Sequence, residues 1–231
     1  MRPTTPQRNR RPSRPALRLL ALAALLCPWF AAAVTAPATT LLVGPASADG
    51  ILGWEPKAFA GETRYRAEQR DGRPAVRADS QASASALLHE IDIDLTRTPY
   101  LSWSWQVGNL LPGIDERVKA GDDYPARVYV LFSGGGLDPR PLGFSYVWSS
   151  SQAKGATWPN AFTGRVVMLA VRDASDPLNQ WVVEKRNVRE DIRRYFGKEV
   201  EEVKAVAIMT DTDNSGRRAT AWYGDIAFTA R

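Results

Sequence analysis

Residues 203–231 read VKAVAIMTDTDNSGRRATAWYGDIAFTAR. Val203 to Met209 is an unbroken apolar run apart from Lys204, short enough for a buried strand. Thr210-Asp211-Thr212-Asp213-Asn214-Ser215-Gly216 follows, a turn made of oxygen-bearing side chains and closed by glycine. Ala219 to Phe228 then returns as a second strand. A strand, an acidic loop and a returning strand set the expectation for the whole chain, which is β-structure.

The same rhythm runs upstream. Ser85 to Leu95 alternates, with Leu87, His89, Ile91, Ile93 and Leu95 on one face and Leu88, Glu90, Asp92 and Asp94 on the other. Tyr100 to Val107 repeats the pattern, with Leu101, Trp103, Trp105 and Val107 against Ser102, Ser104 and Gln106. Arg127 to Phe132 (RVYVLF) is apolar enough to be covered on both faces. Thr63 to Gln69 and Pro74 to Ala78 flank Asp71-Gly72, a hairpin turn signal. Phe144–Trp148, Arg165–Val171 and Gln180–Lys185 complete the set of predicted strands. Asn187 followed by Glu190 predicts a helix start, and Gly197 its end. A further helical turn is expected within Ile114–Ala120. The predicted fold is all-β: a single β-sandwich of jelly-roll, galactose-binding-like type, with one short helix near 188–196.

The first 48 residues have a different character. Arg2, Arg8, Arg10, Arg11, Arg14 and Arg18 precede an apolar stretch, Leu17 to Ala33, that ends in Ala31-Ala32-Ala33. This predicts a signal peptide over residues 1–33, a linker over 34–48 with a short strand near Leu41–Val43, and one domain over 49–231. The net charge of +5 reflects 30 Lys and Arg against 25 Asp and Glu. Without the six leader arginines, 24 face 25, a balance of −1. Nucleic acid therefore loses its support as a partner, and so does a membrane once the leader is removed. The single cysteine, Cys27, lies in the leader, so the exported domain has no disulfide and no thiolate site. The expected location is the periplasm or the exterior.

Several blocks, in order, resemble one bacterial family of exported proteins, domain of unknown function 3047. They are Thr98 to Trp105 (TPYLSWSW), Asp122 to Val130 (DDYPARVYV), Ser145 to Trp148 (SYVW), Glu184 to Val188 (EKRNV), Tyr195-Phe196-Gly197 and Ile208 to Asn214 (IMTDTDN). The resemblance implies a single domain and brings no activity with it. The architecture is also similar to that of jelly-roll modules that bind carbohydrate, an analogy of fold alone.

Three polar clusters are the candidate sites. Asp211, Asp213 and Asn214 occupy the acidic loop. This loop reads as a hydrogen-bonded Asx turn capping two strands, as a sugar site, or as a metal site: alternating oxygens before a glycine suit calcium, the one metal the pattern admits, with Asp225 as a further ligand. Trp222 stands where an EF-hand needs its last Glu, so that motif is excluded. Asp122, Asp123 and Arg127 form the second cluster, and Arg186 with Asn187 the third. Two readings stand for them: a buried Arg–Asp brace, or a cleft that holds a ligand. Trp148 and Trp158 flank a loop rich in Ser, Gly and Lys and are the candidate exposed sugar platform. His89 reads as structural. Gly134-Gly135-Gly136 reads as a hairpin tip.

No catalytic residue is assigned. There is no Gly-x-Ser-x-Gly elbow, no phosphate loop and no histidine cluster. The expected function is a non-catalytic, exported β-sandwich binding a saccharide, with no cofactor other than calcium. A glycoside hydrolase or polysaccharide lyase on the same fold, and an envelope protein-interaction module, are the alternatives.

Overall fold

The computed structural model describes Met1 and residues 39–134 and 140–231. The expected signal peptide, Cys27, the start of the expected linker and Gly135-Gly136 lie outside the described residues. The elements are β1 (Thr40–Gly44), β2 (Glu55–Ala60), β3 (Arg64–Arg70), β4 (Arg73–Gln81), β5 (Ala84–Asp94), β6 (Tyr100–Val107), β7 (Ala126–Ser133), β8 (Pro141–Trp148), β9 (Thr157–Pro159), β10 (Val166–Arg172), β11 (Val182–Asn187), α1 (Val188–Phe196), β12 (Glu202–Asp211) and β13 (Arg218–Thr229). Lys119–Gly121 forms a 3-10 turn where a helical turn was expected. Among the described residues no helix is long and apolar enough to cross a membrane.

Two sheets make an all-β sandwich. One runs β11-β6-β13-β4-β3, with β1 also paired to β13; the other runs β2-β5-β12-β7-β8-β10-β9. Among the described residues only β8 and β10 pair in parallel; the other pairs are antiparallel. β13 is the longest strand. Its register breaks between Tyr223 and Ile226, so its first half pairs with β4 and its second half with β1. The short strand expected near Leu41–Val43 is β1, which joins the sandwich through β13. Asp71 and Gly72 both take positive φ (51° and 76°), the geometry an Asp-Gly hairpin requires.

Alternation explains which residues meet between the sheets. Val206 and Ile208 of β12, and Val128, Val130 and Phe132 of β7, face inward. From the other sheet come Leu101, Trp103, Trp105, Val76 and Tyr223. Trp105 sits 5.9 Å from Trp148, and Trp103 5.4 Å from Tyr146, so the aromatic rings of β6 and β8 fill the centre. Tyr223 ties the sheets by a polar contact. Its hydroxyl donates to Met209 O (2.7 Å) and accepts the N–H of Arg127 (3.3 Å).

α1 behaves as its caps predict. The Asn187 side chain accepts the N–H of Glu190 (3.1 Å), and Gly197 takes a left-handed conformation with φ 62°. Arg186 and Asp191 pair beside it, and Tyr146 donates to the same carboxylate (2.9 Å). Arginines stack on tryptophans on the outer side of the six-stranded sheet. Arg70 lies 4.2 Å over Trp222 and Arg73 4.5 Å over Trp181.

The burial of Trp148 corrects the reading of it as an exposed platform. It is 0% exposed and belongs to the core. Trp148→Ala is expected to cost about 3–5 kcal/mol of stability, read as a lowered denaturant midpoint. A variant as stable as the parent would show that the ring does not fill the sandwich.

Candidate functional site

The period of two that builds the core also builds a second surface. Ala207, Met209 and Asp211 of β12 point away from the core, as do Arg127, Tyr129 and Leu131 of β7. With Ala84, Ala86 and Leu88 of β5 they floor a groove of about 580 Å³ on the outer face of the seven-stranded sheet. β7, expected to be covered on both faces, is thus covered on one, and its other face is half-open at Tyr129 and Leu131. Three alanines keep the floor low. Phe59, on the edge strand β2, stands at one side, and Phe162, between β9 and β10, at the other. They are 70% and 56% exposed. Lys119 Nζ lies 5.3 Å over the Phe162 ring.

One end of the groove is polar. Arg127 and Asp211, 3% and 1% exposed, form an ion pair with Nη2 donating to Oδ2 at 2.6 Å. Strand pairing sets this up, because Arg127 stands opposite Met209 in the β7–β12 register. The guanidinium also lies 4.9 Å from the Tyr124 ring and 5.3 Å from the Tyr129 ring. Arg127 Nε and Nη1 and Asp211 Oδ1 have no hydrogen-bond partner. Burial works against the charge of Arg127, but Asp211, with further help from Tyr129 and Asp122, holds its pKa above the ordinary arginine value. For Asp211 burial pushes the pKa well up. Arg127 opposes this, but the carboxylates of Asp123, Asp122 and Asp213 add to it.

Neighbouring residues hold this end in place. Asp122 receives the Tyr124 hydroxyl (3.0 Å) and the Asn160 amide (3.0 Å), and burial raises its pKa. Asp123 accepts the N–H groups of Asn214 (3.1 Å) and Ser215 (2.6 Å), fastening the acidic loop. Thr212 N–H donates to Ser83 O (2.9 Å) from the opposite side. Asp213 is half-buried, and its pKa is raised by burial and then by Asp123. Asp123, Asp211 and Asp213 each bring one carboxylate oxygen within 4.8 Å of the others, a set that could hold a metal ion.

Of the residues singled out from sequence, Asp122, Asp123, Arg127, Asp211, Asp213 and Asn214 come together. The others do not. Arg186 and Asn187 belong to the separate brace at α1. Asp225 is exposed, and its Oδ1 accepts Ala46 N–H (2.8 Å), so Asp123 takes the place expected for it beside Asp211 and Asp213. Trp158 is 5% exposed and stacks beneath the polar end, 6.5 Å from Tyr124, so it too is not an open platform. His89 stacks on Trp54 (5.5 Å), a packing role. Phe59, Tyr129, Asn160 and Phe162 were not anticipated. The Lys57–Phe59 alternation was the one local signal, and Pro56 obscured it.

Residues 52–227 match the model of the family described as protein of unknown function (DUF3047), and the chain belongs to this family. No curated protein sequence matches it. Among solved structures it is similar to the family 30 carbohydrate-binding module of the cellulosomal cellulase Cel9D-Cel44B of Clostridium thermocellum. That match has a TM-score of 0.47 and 13% identity, and covers 84% of this chain and 98% of that one. It is also similar to the xyloglucanase domain of NopAA from Sinorhizobium fredii, solved with cellobiose (TM-score 0.36, 11% identity, 76% and 97% covered). A third is the family GH12 endoglucanase 3 of Trichoderma harzianum (TM-score 0.36, 10% identity, 84% and 98% covered). Scores at this level transfer neither ligand nor activity to this chain.

A buried carboxyl supports the polar end from behind. Glu116 is fully buried and accepts the Ser149 hydroxyl and the Ser150 N–H (2.6 Å), while its backbone carbonyl receives the Tyr124 hydroxyl (3.1 Å). Burial pushes its pKa up to about 7. A carboxyl that holds its proton more tightly when folded contributes stability that is complete below the ordinary Glu range. That contribution falls as pH rises toward 7. A shift of that size is worth on the order of 3 kcal/mol. Glu116→Gln is expected to remove this slope, so that the gap in unfolding free energy between variant and parent changes from acid to neutral pH. Parallel pH profiles would show that Glu116 titrates normally.

Proposed function

We propose that the protein is a non-catalytic saccharide-binding module of the cell envelope and that the groove is its site. The observation that carries this reading is the pairing of two exposed phenylalanines, Phe59 and Phe162, with a buried polar end across an apolar floor. A pyranose ring has an apolar C–H face and an equatorial rim of hydroxyls. The first suits aromatic side chains, and the second suits donors and acceptors fixed in a cleft. Asn160 and Asn214 supply amide groups at the polar end, and Asp122 and Asp213 supply oxygens. The export expected from residues 1–33 would bring the groove to envelope or external glycans. The reading asks for no organic cofactor; a hard cation at the acidic end is the inorganic addition it accommodates.

The carboxyls favour one second reading. Asp122, Asp211 and Asp213 all hold their protons above the usual range, which is what a general acid in a hydrolase needs. Release of reducing ends from a bound polysaccharide would establish catalysis; its absence would leave binding alone.

A polysaccharide array followed by calorimetry tests the proposal. Phe59→Ala and Phe162→Ala are each expected to weaken binding roughly tenfold, about 1.4 kcal/mol, with no loss of fold. No binding to any polysaccharide, or binding indifferent to both substitutions, would overturn it.

A further inference from the structure

We propose that the acidic end of the groove binds a calcium-type cation, held by Asp123, Asp211 and Asp213. The proposal goes beyond saccharide recognition, because such an ion binds whether or not a glycan is present.

Spacing comes first. Calcium takes oxygen ligands at roughly 2.3–2.6 Å, so two ligands of one ion stand at most about 5 Å apart. The three carboxylate oxygens lie within 4.8 Å of one another. That set is close enough to share one calcium ion. Only oxygen is on offer, which favours a hard cation over zinc.

The second observation is an atom without a partner. Asp211 is 1% exposed, and one of its carboxylate oxygens accepts from Arg127 while the other, Oδ1, accepts from nothing. A native interior seldom leaves a carboxylate oxygen dry and unpaired. Ser215 Oγ, in the same loop, is buried and unpartnered as well.

Charge points the same way. Asp122, Asp123, Asp211 and Asp213 make a single ion pair among the described residues, the one between Asp211 and Arg127. With all four ionised this leaves an excess of three negative charges, which a divalent ion would reduce to one. The loop is also set in advance. Asp123 is oriented by Asn214 and Ser215 N–H groups, and Thr212 is bonded to Ser83, so the ion would meet a formed site. Asp122 stays outside the set, held by Tyr124 and Asn160.

The test uses the exported chain stripped with EDTA and titrated with calcium chloride, without any glycan. Calorimetry is expected to show one site, and the thermal midpoint to rise with calcium and fall again with EDTA. Asp213→Asn, at a half-buried loop position, is expected to weaken binding at least about tenfold while keeping the fold. Asp211→Asn should do the same if it folds, and Asp225→Asn should change nothing. An absence of binding heat together with an unmoved midpoint would overturn the proposal, as would undiminished binding in Asp213→Asn. Because no saccharide is present, either result leaves the glycan reading to its own test.

Discussion

The polar end of the groove depends on the contact between Arg127 and Asp211. Two opposite charges are removed from water there, and the cost of doing so is recovered only if their attraction and their hydrogen bonds are nearly complete. They are half complete. One edge of each group meets the other at 2.6 Å, and two tyrosine rings lie 4.9 and 5.3 Å from the guanidinium. The remaining atoms, Nε, Nη1 and Oδ1, have no hydrogen-bond partner. A pair serving only to lock the fold would be replaced at little cost by apolar side chains of the same volume. A pair that lines a groove while three of its atoms stay unpartnered is better explained by something that completes it.

The fold supplies both sides of this arrangement from the same strands. β12 sends Val206 and Ile208 into the sandwich and Ala207, Met209 and Asp211 into the groove. β7 divides Val128 and Val130 from Arg127 and Tyr129 in the same way. A slip of one residue in either strand would exchange core and site together, so register is doubly constrained. Tyr223 reinforces it by reaching from the other sheet to Met209 O and Arg127 N–H. The aromatic core behind is therefore part of what positions the site.

Much of the fold was legible because alternation and caps are local. Tyr100–Val107, the two strands around the acidic loop and the Asn187–Gly197 helix follow from residues a few positions apart. β2 was not legible, because Pro56 interrupts a short run, and β9 has only three residues. The site was legible in its acids and its arginine but not in its walls. Phe59 and Phe162 are single aromatics in unremarkable settings, and only the sheet order places them on opposite sides of one groove. Trp148 and Trp158 were misread because a polar loop between them says nothing about which way each ring turns. Asp225 was chosen for the acidic loop by sequence proximity. Asp123 reaches it instead, from 88 residues upstream of Asp211, through the β7–β12 pairing.

The central claim is that ligand meets the outer face of the seven-stranded sheet. The most direct measurement is a map of amide chemical-shift changes as a polysaccharide found to bind is added. The account predicts changes at Phe59, Tyr129, Phe162 and Asp211, with Trp181 and Trp222 on the opposite sheet undisturbed. Changes gathered around Trp181 and Trp222, with the groove silent, would contradict it.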